Sequence, residues 1–141
     1  MGFGEAIGAF YSGYFDFESR AIRSEFWWAF LFKTLVYIAL VILMFVLASS
    51  MGGIDTSDGE TGLGLGAILI GFFYIGNIIP NIAIAVRRFH DQDKSGWMYL
   101  LVFIPYIGGI VVFVFMCIDG THGDNRFGAD PLGDSLFDTF S

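Results

Sequence analysis

Cysteine is almost missing from this chain. Cys117 stands alone, so no internal disulfide can form and no redox compartment can be inferred. It lies in an apolar run without activating charges nearby, which points to an inert, buried thiol. Basic residues are scarce too: 7 Lys and Arg against 14 Asp and Glu, a net charge of -7. Nucleic acid is thereby excluded as a partner, because phosphate neutralisation needs a basic face. Histidine occurs only as His90 and His122. His90, Asp91 and Asp93 make too sparse a ligand set for zinc, so no metal and no cofactor is expected. No Ser or Cys has a base at a recognisable spacing, so a nucleophilic enzyme is not expected either. Residues 1–17 have neither a basic opening nor a clean apolar stretch, which argues against a cleavable signal peptide.

Apolar side chains are abundant. Hydrophobic residues make up 55% of the 141, and 17 are Phe. Charged residues make up 15%, under the roughly 25% of soluble domains. So small a chain has too little interior to hide that surface, and lipid is the natural place for it. The residues fall into three runs, 26–48, 63–86 and 97–118, each near the ~20 needed to cross hydrocarbon. The expected fold is an all-α membrane protein: a single polytopic domain over 1–132 with three hydrophobic segments, and a flexible acidic tail over 133–141. Ser19 is a plausible cap for the first helix, placing Arg20 and Arg23 on one face. Trp27 and Trp28 would anchor that helix at the head groups, and Lys33 would snorkel. The first loop, 49–62, is acidic and lacks the ligand pattern of a calcium loop. Gly62 and Gly66 would permit close helix approach. Pro80 predicts a kink in the second segment. Asn77 and Asn81 share a face that should point into a bundle interior. The third run carries Pro105, Gly108 and Gly109 at its middle. A kinked span is the favoured reading, and re-entry near Pro105–Gly109 is the alternative.

Between the second and third runs lies a polar knot, Arg87-Arg88-Phe89-His90-Asp91-Gln92-Asp93-Lys94-Ser95-Gly96-Trp97. It has three basic residues where the first loop has none, so the positive-inside rule places it in the cytoplasm with the Arg20/Arg23 end. On the kinked-span reading the C-terminus is then outside. Arg20, Arg23, Glu25, Arg87, Arg88, His90, Asp91 and Trp97 form a candidate surface cluster. Its guanidinium forks fit carboxylate or lipid phosphate.

Three blocks in fixed order carry a family likeness. Arg20-Ala-Ile-Arg23-Ser-Glu25-Phe26-Trp27 precedes the first run. The Arg87–Trp97 knot follows the second. Gly123-Asp-Asn125-Arg126-Phe127-Gly128-Ala-Asp130-Pro131 follows the third. Together, over roughly 14–131, they resemble the bacterial inner-membrane family known as domain of unknown function 805, the YhaH-like proteins. Ser19 departs from it, since the family usually has Gly before the first Arg. The resemblance implies an integral inner-membrane protein and supplies no activity, so no catalytic residue carries over. The expectation is a non-enzymatic membrane module that packs with partners or with the bilayer, including anionic phospholipid. A homo-oligomer or another membrane protein is the candidate protein partner. A transporter or channel subunit using Asn77 and Asn81 is the alternative, and an enzyme on lipid head groups through His90 and Asp91 ranks below it.

Overall fold

The computed structural model describes residues 2–133. It contains α1 (Phe3–Ser12), α2 (Arg23–Ser50), α3 (Ser57–Asp91), a 3-10 helix (Gly96–Phe103) and α4 (Gly108–Cys117). Among the described residues there is no β-strand; the one bridge closes a turn between Asn125 and Gly128. The acidic tail expected over 133–141 lies, from residue 134 on, outside the described residues. The chain divides into two compact units: Phe30–Ile78, and the residues up to Ala29 together with those from Ile79 onward.

Unit Phe30–Ile78 holds most of α2 and α3. Both helices are long and apolar enough to cross a membrane. The most apolar window of α2 is 0% buried, which a core helix of a soluble protein would not be. Thr56 closes the short loop between them: its hydroxyl accepts the Gly59 N–H at 3.0 Å, capping α3. Loop 49–62 therefore shrinks to 51–56, because both helices run further than their apolar stretches. Gly62 and Gly66 are where the helices approach closely. A Cβ at Gly62 would stand 2.7 Å from the Ala48 nitrogen, and one at Gly66 would stand 2.7 Å from the Met44 Cα. Gly62→Ala is expected to force the helices apart at a cost of about 1–3 kcal/mol. Gly64→Ala, with open space at its Cβ, should cost nothing or stabilise slightly. Thermal melts of the two variants in detergent check this, and equal melts would remove the close-approach account.

The other unit contains α1, the start of α2, the end of α3, the 3-10 helix and α4. One apolar cluster joins Phe10 of α1 to Ala21, Ala29 and Ile84, with Phe26 against it. A second joins Phe89, Val112 and Met116, with Trp27 and Phe115 against it. Residues Phe3–Ser12 thus form a helix that buries Ala6 and Phe10. α3 continues as one helix through Pro80 as far as Asp91. Arg87–Asp91, expected in a loop, therefore form its last turn, where Arg88 and His90 also suit the negative end of the helix dipole.

The third run breaks at Ile104–Ile107, within the stretch where a kink or re-entry is expected. Residues 97–118 do not make one bent helix. The 3-10 helix ends at Phe103, the chain turns through Ile104–Ile107, and α4 returns. A Cβ at Gly108 would overlap the Leu101 carbonyl and stand 2.7 Å from the Val102 oxygen, so only glycine lets the two arms close there. Tyr106 at the tip takes a left-handed φ of 69°.

Candidate functional site

The polar knot folds inward. Arg20, Glu25, Arg87, Arg88, His90, Asp91 and Gln92 are all buried. Such burial is tolerable only when every charge finds a partner. The Asp91 carboxylate serves two guanidiniums: Arg20 Nε donates to Oδ1 at 3.0 Å and Arg88 Nη1 donates to Oδ2 at 2.7 Å. Arg87 Nη1 donates to Glu25 Oε1 at 2.7 Å. Three buried cations thus face two buried anions, and backbone oxygens take several of the remaining donors, while Arg87 Nε and Nη2, Arg88 Nε and Gln92 Oε1 are buried without a hydrogen-bond partner among the described residues. Arg20 donates to the carbonyls of Thr121 and Gly123, each at 2.8 Å, and Arg88 to the carbonyl of Ala21 at 2.9 Å.

Two of these side chains finish another helix. The last carbonyls of α4 have no partner within the helix. Arg88 Nη2 donates to Ile118 O, and Gln92 Nε2 donates to Phe115 O and Ile118 O. The end of α3 therefore caps the end of α4. Backbone bonds continue the junction: Thr121 N–H donates to Asp91 O at 2.7 Å, and Asn125 Nδ2 donates to His90 O at 2.9 Å. On the other side Ala21 N–H donates to Arg87 O at 3.1 Å. Passages 19–25, 87–92 and 118–128 meet at one place.

The entry to α2 differs from expectation. The helix begins at Arg23, not at Ser19. Ser19 instead donates its N–H and hydroxyl to Asp16. Arg20–Ile22 stay outside the helix, where Ala21 pairs with Arg87 and Arg20 reaches Asp91. Arg20 and Arg23 consequently do not share a helix face. Arg23 is exposed and pairs with Asp119 at 2.5 Å.

His90 Nδ1 lies 3.1 Å from the carbonyls of both Glu18 and Ser19. Both neighbours are acceptors, so Nδ1 carries the proton. The ring stacks on Phe127 with centroids 3.9 Å apart and planes 6° from parallel. Trp97 does not join the cluster and is 78% exposed. Its backbone N–H donates to the Ser95 hydroxyl, and the residue lines one cavity with His90 and Phe127. Asn77 is buried and donates to the Phe73 carbonyl of its own helix at 2.7 Å; Asn81, one turn on, is half-buried. Among the described residues no group of three metal-ligating side chains converges.

Reading the sequence alone missed Gln92, Gly120, Thr121 and Asn125. Gly120 lies against Asp91 so closely that a Cβ there would overlap the carboxylate. The Gly123–Pro131 block is the turn that receives Arg20. Asp130 closes it by accepting the N–H groups of Gly123 and Leu132, and those bonds, Leu132 first, hold its carboxyl below the ordinary aspartate range.

Known proteins resemble this chain along most of its length. The inner membrane protein YhaH of Escherichia coli (strain K12) is 39% identical over 118 residues, covering 84% of this chain and 88% of the relative. The inner membrane protein YhaI of the same organism is 36% identical over 119 residues, covering 84% and 87%. The uncharacterised protein YiiR, also of that organism, is 24% identical over 145 residues, covering 82% and 86%. No solved structure matches. The family model described as protein of unknown function (DUF805) matches residues 14–129, which takes in all three passages of the buried knot, and the chain belongs to that family.

Proposed function

We propose that this protein is a non-enzymatic module of the bacterial inner membrane, acting through its lipid-facing surface. One observation carries the reading: the buried charges that could have done chemistry are paired with one another. Arg20, Arg87 and Arg88 are directed at Asp91, Glu25 and backbone carbonyls. His90 is engaged at Nδ1 and stacked on Phe127. The long apolar helices and the inner-membrane relatives support the location. The basic residues near Arg20 and Lys94, against none in the first loop, support a cytoplasmic N-terminus and Arg87–Gly96 corner.

Lipid contact then falls to what the knot leaves outside. A half-open cavity of about 550 Å³ is lined mainly by apolar side chains, Ile82, Val86, Trp97 and Leu100 among them, with His90 and Ser95 also in its wall, and this lining suits an acyl tail. Phosphate contact falls to Arg23, whose side chain is exposed. A basic side chain near an anionic surface is worth about 1 kcal/mol, or roughly fivefold in affinity. Arg23→Gln is expected to lower the preference for phosphatidylglycerol over phosphatidylcholine by about that factor, read by native mass spectrometry of bound lipid. Its ion pair with Asp119 is exposed, so stability should change by less than about 1 kcal/mol. An unchanged lipid preference would remove Arg23 as the phosphate contact. Release of the protein from membranes by alkaline carbonate would overturn the membrane reading itself.

A further inference from the structure

We infer that residues 96–118 form a re-entrant hairpin inserted into one leaflet, so that the chain after α4 returns to the side on which α3 ends. This rests on the membrane reading above and adds a topology that hydropathy alone does not give. The first observation is where the hairpin's ends lie. Its beginning follows directly from the end of α3. Its far end is tied to that same place by Arg88 and Gln92 on the α4 carbonyls, and by Thr121 N–H on Asp91 O at 2.7 Å. If Asp91 lies at one membrane surface, Thr121 lies there too.

The second observation is length. The 3-10 arm has 8 residues and α4 has 10. At about 2.0 and 1.5 Å per residue they reach on the order of 15 Å, half of a hydrocarbon core about 30 Å thick. The third is surface. Phe103, Ile107, Ile110, Phe113 and Val114 are all more than half exposed, although Phe113 also meets the Trp27 ring edge-on with centroids 5.6 Å apart. The fourth is the backbone. Hydrocarbon admits a turn only when its polar groups are bonded. Here Ile104 N–H donates to Leu101 O, Ile107 N–H to Pro105 O and Gly108 N–H to Ile104 O, and Pro105 has no N–H to satisfy, which leaves the Tyr106 N–H at the exposed tip as the one amide of the turn that no backbone bond among the described residues closes. The occupant of this apolar surface is therefore the acyl region of a single leaflet.

The test uses the full chain in a Cys117→Ser background, with single cysteines at exposed sites. Asp55→Cys reports the first loop, Asp124→Cys the C-terminal segment and Ile107→Cys the hairpin tip. A membrane-impermeant maleimide is applied to intact spheroplasts and to lysed ones. The inference expects Asp55→Cys and Asp124→Cys to label from opposite sides, whichever side is the cytoplasm. It also expects a nitroxide at Ile107→Cys in liposomes to report a depth within the hydrocarbon, favouring oxygen over a water-soluble relaxant. Labelling of both loop cysteines from one side would make residues 97–118 a full span and overturn the hairpin. Opposite-side labelling with a water-accessible Ile107 would overturn its insertion. Recovery in the soluble fraction would overturn the membrane reading, and that outcome is distinct from the other two.

Discussion

Asp91→Ala is expected to lower folding stability by about 3–5 kcal/mol, the cost of breaking a buried pair and leaving its partner charged and unpaired. The carboxylate is shared between Arg20, whose side chain is 2% exposed, and Arg88, at 0%. Removing it strands both guanidiniums and loosens two passages at once. Arg20 loses the partner that orients it toward the Thr121 and Gly123 carbonyls. Arg88 loses the one that aims it at Ile118 O. Thermal unfolding in detergent should show a drop on the order of 10 °C, given the few degrees per kcal/mol typical of this size. The control is Asp119→Ala, which removes an exposed pair and should move the melt by little. If the two variants melt alike, the knot does not hold the chain together.

Much of this fold is legible in the sequence, and the parts that are not have physical reasons. α2 and α3 follow from the length of their apolar runs, and the Gly62/Gly66 approach follows from their spacing. The start of α2 and the end of α3 do not follow, because tertiary partners hold residues 20–22 out of the one and receive the last turn of the other. Arg87 to Asp91 look like loop residues until Glu25, Arg20 and Ile118 are there to receive them. Arg88 and Asp91, three apart, could be paired by helical spacing alone. Arg20 and Asp91 are 71 residues apart, and nothing local announces their meeting. The third run defeats hydropathy for a simpler reason: a 22-residue span and two half-length arms have the same composition. Pro105, Gly108 and Gly109 were the available clue. The sharper one was Gly108, which is needed where α4 passes the Leu101 carbonyl. Of the candidate cluster, Arg20, Glu25, Arg87, Arg88, His90 and Asp91 are buried, while Arg23 and Trp97 are exposed, a division that no local pattern announces. The buried arginines face carboxylates inside the protein, and only Arg23 keeps the exposed setting that lipid phosphate requires.

The second large effect is expected at Gly120, a residue with no chemistry of its own. A Cβ there would overlap Asp91 Oδ2 and Cγ and stand 2.8 Å from Oδ1. The carboxylate cannot retreat easily, since Arg20 holds one oxygen and Arg88 the other. Gly120→Ala should therefore cost more than the roughly 1–3 kcal/mol of ordinary overpacking, because displacing Asp91 also weakens two buried ion pairs. The double variant separates this account from a general intolerance at that turn. With Asp91→Ala already made, the overlapping atoms are gone, and Gly120→Ala should add little. The two changes should be strongly non-additive, with an interaction energy at the upper end of the roughly 0.5–3 kcal/mol seen between touching residues. Additive losses in the melts would mean that Gly120 is required for its backbone and not for the space it leaves to Asp91. A glycine fixed by the width of a carboxylate would instead explain how three distant passages close on one charge without a gap.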